Sequence, residues 1–77
     1  MDETTRALLI ARARTWARSG EGRRRREEAQ LSIRDVGRAI GLSNVTIHRW
    51  ETQQNLPSGD SAVRWVELLD QLEAVAR

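Results

Sequence analysis

The sequence predicts an all-α fold: a compact bundle of five helices forming one domain over residues 1–77. Three observations carry that reading. Apolar residues recur at spacings of three and four, and nowhere alternate as a half-buried strand requires. Serine, glycine and the single proline divide the chain into segments of helical length. A chain of 77 residues is also close to the lower size limit of a self-supporting core, so its helices must share one core and a partner subunit is a natural supplement.

The first helix is expected over 4–18, with Leu9, Ile10, Ala13, Trp16 and Ala17 on one face and Arg6, Arg12, Arg14 and Arg18 mostly off it. Ser19 and Gly20 interrupt it, and Ser19 is placed to cap a second helix over 20–29. That second helix has almost no apolar face; its run Arg23, Arg24, Arg25, Arg26 is followed by Glu27 and Glu28 at i,i+4 spacing from Arg23 and Arg24. A third helix is expected over 33–40, opened by Ser32 and Asp35 in the spacing of a capping box, with Val36, Ala39 and Ile40 turned inward. Gly41 stops it. Ser43 then caps a fourth helix over 44–51, in which Ile47 and Trp50 share a face. A polar loop holding Pro57 leads to a fifth helix over 59–76, capped by Ser58, Asp60 or Ser61. Its stripe is Ala62, Val66, Leu69, Leu72 and Ala76, with Trp65, Leu68 and Val75 beside it.

Composition excludes several function classes. There is no cysteine and one histidine, so neither a disulfide framework nor a zinc site of the usual Cys/His type can be built, and no cofactor is expected. No run approaches the ~20 apolar residues of a membrane span, and residues 1–10 carry acids where a signal peptide carries bases, so a soluble, cytoplasmic protein with no membrane partner is expected. His48 has no second histidine or cysteine to work with and no evident orienting carboxylate. Asp35, Glu51 and Asp60 read as capping and locally paired residues. With no glycine-rich phosphate loop either, the chain is not expected to be an enzyme. All the basic residues are arginine. They concentrate in residues 1–50, which carry 11 Arg against 6 acids, whereas residues 51–77 carry 2 Arg against 5 acids. A polyanion would approach the first part.

Residues 31–51, LSIRDVGRAIGLSNVTIHRWE, resemble the helix-turn-helix of the phage Cro and lambda-repressor family, also called Xre-like. Val36 and Ile40 stand where the family's first motif helix sends apolar residues inward, and Gly37 where it holds a small residue for close helix crossing. Gly41 occupies the turn, Leu42, Ile47 and Trp50 complete the apolar set, and Trp50-Glu51 matches a frequent ending. Around the motif at 32–51, Ser19-Gly20-Glu21 and Pro57-Ser58 with the following helix are similar to parts of small actinobacterial and phage regulators. The likeness then covers about residues 19–70 and leaves the first helix outside it. Two positions depart from the pattern. Ile33 stands where many members have glutamine touching phosphate, and Arg25 where the family usually buries leucine, a place the first helix is expected to fill instead.

The resemblance implies a sequence-specific binder of double-stranded DNA that regulates transcription, in the manner of a repressor occupying an operator, at the nucleoid of a bacterial cell. The chemistry of residues 43–49 fits that role on its own terms. Asn44 suits adenine N6/N7, Val45 a thymine methyl, and His48 or Arg49 guanine N7 or phosphate; Thr46 completes the reading set. Ser32, Arg34, Arg38 and Ser43 are the expected phosphate contacts, with Arg23, Arg24 and Arg26 as a further bank or, alternatively, as surface arginines paired to Glu27 and Glu28. A homodimer would set two recognition helices one turn of DNA apart, ~34 Å. It is expected to form through Leu68, Leu69, Leu72 and Val75 of the last helix, or else through the Trp16 helix. Two other readings remain: an excisionase-like architectural binder, which normally adds a β-hairpin wing, and an antitoxin-type module whose last helix binds another protein.

Overall fold

The computed structural model describes residues 1–76, and they form five helices in the order expected: α1 Glu3–Ser19, α2 Glu21–Glu28, α3 Ile33–Ile40, α4 Asn44–Glu51 and α5 Gly59–Ala76. The described residues contain no strand. None of their helices is long and apolar enough to cross a membrane.

Local chemistry sets the boundaries. The Asp2 carboxylate accepts from the Thr5 N–H at 2.6 Å and starts α1. Gly20, at φ 83°, closes α1 and opens α2, a left-handed conformation that costs glycine little. Ser19 therefore ends α1 rather than capping α2 from outside, although its hydroxyl still accepts from the Glu21 N–H at 3.2 Å. Before α5, Ser58 fills the cap position, its carbonyl accepting from the Ala62 N–H at 3.2 Å. Asp60 turns instead to Arg6, 3.0 Å away on α1.

The core lies between α1, α3, α4 and α5. Ala13 and Ala17 of α1, Val36 and Ile40 of α3, Ile47 and Trp50 of α4, and Ala62, Trp65, Val66 and Leu69 of α5 are buried together. Trp50 and Trp65 meet edge to face with ring centroids 5.2 Å apart, a geometry that contributes about 0.5–1.5 kcal/mol beyond burial. Two expected placements are revised. Ala39 faces solvent and Gly37 takes the inward position, because α4 crosses α3 at Gly37 rather than at Ala39. Leu69, expected on a dimer surface, is fully buried beneath α1 and α2, while Leu68 and Leu72 pack half-buried against the core and Val75 alone of the four stays exposed.

Helix α2 docks without an apolar stripe. Gly22 lies directly on Trp65; a Cβ there would sit 2.5 Å from the indole, so only the bare backbone allows this approach. Arg25 fills the leucine position of the family pattern by laying its guanidinium over the Trp16 ring, 4.2 Å from the centroid, with its Nε on Glu21 at 2.7 Å. The leading helix thus completes the core where α2 has no hydrophobe to offer.

Candidate nucleic-acid interface

The arrangement of α3 and α4 follows from four small features. Ser32 and Asp35 form a reciprocal capping box, with the Asp35 N–H donating to Ser32 Oγ at 3.0 Å and the Ser32 N–H to Asp35 Oδ2 at 2.9 Å. These bonds hold the Asp35 carboxyl below the ordinary aspartate range. At the crossing, a Cβ on Gly37 would lie 2.5 Å from the Leu42 carbonyl oxygen, so the absence of a side chain fixes how near the turn comes to α3. Gly41, at φ 74°, makes the turn, and both its N–H and that of Leu42 donate to the Gly37 carbonyl. Ser43 then caps α4, accepting from the Thr46 N–H at 3.2 Å.

Helix α4 buries Ile47, Trp50 and Glu51 and turns Asn44, Val45, His48 and Arg49 to solvent. These four exposed residues line a shallow groove together with Ile33 from the first turn of α3 and Gln54 from the loop after α4. Four of the five expected reading residues are therefore side by side. Thr46 lies at the margin, half-buried, with its Oγ1 3.0 Å from Ser43 Oγ. Gln54 reaches the groove because its N–H donates back to the Arg49 carbonyl at 2.9 Å, folding the loop over the end of α4.

Burying Glu51 requires a cation, and the chain supplies it from α2. Arg26 donates from Nε to Glu51 Oε2 at 2.7 Å and from Nη2 to Oε1 at 2.9 Å, while its Nη1 donates to the Leu31 carbonyl at 2.8 Å. One guanidinium thus ties α2, the α2–α3 loop and the end of α4 together. Glu51 is not locally paired as its sequence neighbours suggested; its partner lies 25 positions away. The signal was in the pattern: position 51 falls on the same inward face as Ile47 and Trp50, where a carboxylate needs a buried partner.

The other arginines sort into two groups. Arg6, Arg12, Arg23, Arg24 and Arg25 form ion pairs with Asp60, Asp70, Glu27, Glu21, Glu28 or Glu73. The hydrogen bond from Arg24, reinforced by Arg25, holds the Glu21 carboxyl down at about 2. Of the further phosphate bank expected at Arg23, Arg24 and Arg26, Arg23 pairs with Glu27, Arg24 with Glu21, Glu28 and Glu73, and Arg26 with Glu51, so each is held in an ion pair within the chain, mostly by acids of α2 itself. Arg34, Arg38 and Arg49 have no ion pair among the described residues, and all three are exposed. Free positive charge is left on the two helices that carry the groove, although Arg14, Arg18 and Arg64 elsewhere are also without an ion pair among the described residues, Arg14 donating instead to the Pro57 carbonyl at 3.0 Å. No group of three or more His, Cys, Asp or Glu among the described residues is placed to hold a metal ion.

A helix-turn-helix family model matches residues 23–74 of the 77. The chain belongs to the helix-turn-helix family of the Xre and lambda-repressor type. Comparisons with curated proteins and with solved structures found no significant match. Within the matched segment, α3 and α4 are the two helices joined by the turn at Gly41. The family match covers α2 to most of α5, and α1 is an addition whose Ala13 and Ala17 complete the core. The family is one of DNA-binding regulators.

Proposed function

We propose that this protein reads a specific operator in double-stranded DNA and represses transcription by occupying it. The observation that carries the reading is the gathering of Asn44, Val45, His48 and Arg49 along one groove on the solvent-facing side of α4, with Arg34 and Arg38 exposed and free of ion pairs on the preceding helix α3. Asn44, Val45, His48 and Arg49, with Thr46 at the edge, contact base edges in the major groove. Arg34 and Arg38 contact phosphate. So do the exposed hydroxyls of Ser32 and Ser43, which open α3 and α4 by accepting from backbone N–H groups. An excisionase-like role fits less well, because the described residues hold no strand after Pro57 to form a wing. Two copies on an inverted repeat are part of the proposal, with Leu69 withdrawn from the contact surface.

Substituting Asn44 and His48 by alanine tests the assignment, since both are exposed and neither supports the core. Each lost base contact is expected to reduce discrimination between operator and random DNA by roughly tenfold, about 1–3 kcal/mol, with salt-dependent nonspecific binding unchanged. Equal loss on all sequences in a mobility-shift titration would place the reading face elsewhere.

A further inference from the structure

The groove on α4 is bordered by two aliphatic side chains from different helices. Val45 is 54% exposed on α4, and Ile33 stands half-buried in the first turn of α3. Ile33 lies one helical turn before Gly37 on α3, and a Cβ at Gly37 would come within 3.7 Å of the Asn44 Oδ1. Ile33, Asn44 and Val45 therefore sit together where α3 meets the start of α4, and all three line the groove. Branched aliphatic groups form no hydrogen bond with a base or a phosphate. What the major groove offers them is the methyl on C5 of a pyrimidine, an apolar group at the outer edge of the base, on the side of its own sugar-phosphate strand. Arg49 in the groove, and the exposed Arg34 and Arg38 on the same helix as Ile33, supply cations for phosphate.

We propose that Ile33 and Val45 together form a seat for the 5-methyl group of a pyrimidine, making Ile33 a specificity-determining residue and binding sensitive to the methylation state of that base. The inference rests on the reading of α4 as the DNA-contacting helix. The ligand chemistry is a 5-methylpyrimidine edge in duplex DNA, supplied by thymine or by 5-methylcytosine.

The test uses the full chain and a duplex that it selects from a random library. Each thymine of the selected half-site is replaced in turn by deoxyuracil, which removes only the methyl. At one position the replacement is expected to weaken binding about fourfold, the effect of one buried methyl group. That ratio falls to near one in Val45→Ala, whose exposed position leaves folding intact, and in Ile33→Ala. Cytosine and 5-methylcytosine are then compared at the same step, with guanine opposite. The methylated base is expected to bind more tightly, and whichever of thymine and 5-methylcytosine binds best identifies the natural source of the methyl. Equal affinity for thymine and uracil at every position overturns the proposal, as does discrimination that survives in both alanine variants. If the library yields no preferred sequence, the operator-reading function itself fails; a preferred sequence indifferent to the methyl sinks the methyl seat alone.

Discussion

Replacing Glu51 by glutamine removes one charge from the most enclosed ion pair in the molecule and leaves the other in place. The Arg26 and Glu51 side chains keep 11% and 4% of their exposure, and two parallel hydrogen bonds of 2.7 and 2.9 Å join them. The hydrogen bond to Glu51 raises the pKa of Arg26, and without that bond a guanidinium is still basic enough to keep its charge when its partner is neutralised. Breaking such a pair from one side typically costs about 3–5 kcal/mol, because the remaining charge is buried without compensation. Glutamine keeps one acceptor oxygen, which places the expected loss near 3 kcal/mol. A domain of this size has total stability of roughly 4–12 kcal/mol, so the variant is expected to be partly unfolded or nearly so. With a urea m-value of about 1 kcal/mol/M, the midpoint should fall by about 3 M. Trp50 and Trp65 are both in the core and report the transition by fluorescence. Replacing both partners by leucine is expected to recover most of the loss, since neither charge is then stranded. A midpoint shift below about 0.5 M for the single variant would refute the idea that this pair anchors α4.

Other perturbations probe the motif and its charges. Gly37→Ala drives a methyl against the Leu42 carbonyl at 2.5 Å, expected to cost about 1–3 kcal/mol and to weaken specific DNA binding by changing the α3–α4 angle; an alanine variant with unchanged urea midpoint and affinity would contradict the close crossing. Glu21, with its pKa lowered from 4.5 to about 2 by Arg24 and Arg25, stabilises the fold fully above pH 4.5, and that contribution disappears as pH falls through about 2. Urea midpoints of wild type and Glu21→Gln should therefore differ at neutral pH and converge toward pH 2, whereas a constant gap would mean that the ion pairs are not its source. The two arginines assigned to phosphate, Arg34 and Arg38, imply a slope of roughly −1.8 for log K against log salt per copy, and a slope near zero would deny phosphate contact.

Periodicity and punctuation sufficed for the helices. α3, α4 and α5 have the expected bounds, because Ser32, Gly41 and Ser43 act within one turn of themselves, while α1 and α2 each differ by one residue at both ends. The exposed face of α4 was legible for the same reason: in an eight-residue helix, naming Ile47 and Trp50 as buried leaves Asn44, Val45, His48 and Arg49 outside. Long-range electrostatics were not legible. Charges of opposite sign in residues 1–50 and 51–77 suggested a basic surface, yet α5 brings Asp60, Asp70 and Glu73 onto the arginines of α1 and α2, and that pairing exists only in the folded chain. Leu69 was offered both to the inward stripe of α5 and to a dimer surface, and the stripe placement is the one that holds, whereas Ala76 at the end of that stripe is exposed. Gln54 had no signal, since only the backbone bond to Arg49 returns it to the groove.

Selection of bound duplexes from a random DNA library by the purified chain at near-physiological salt tests the central claim most directly. An enriched inverted repeat with half-sites about 10 base pairs apart is the expected result, marking two recognition helices on one operator. Recovery of no sequence above background would contradict it, and α4 would lose its standing as a reader of bases.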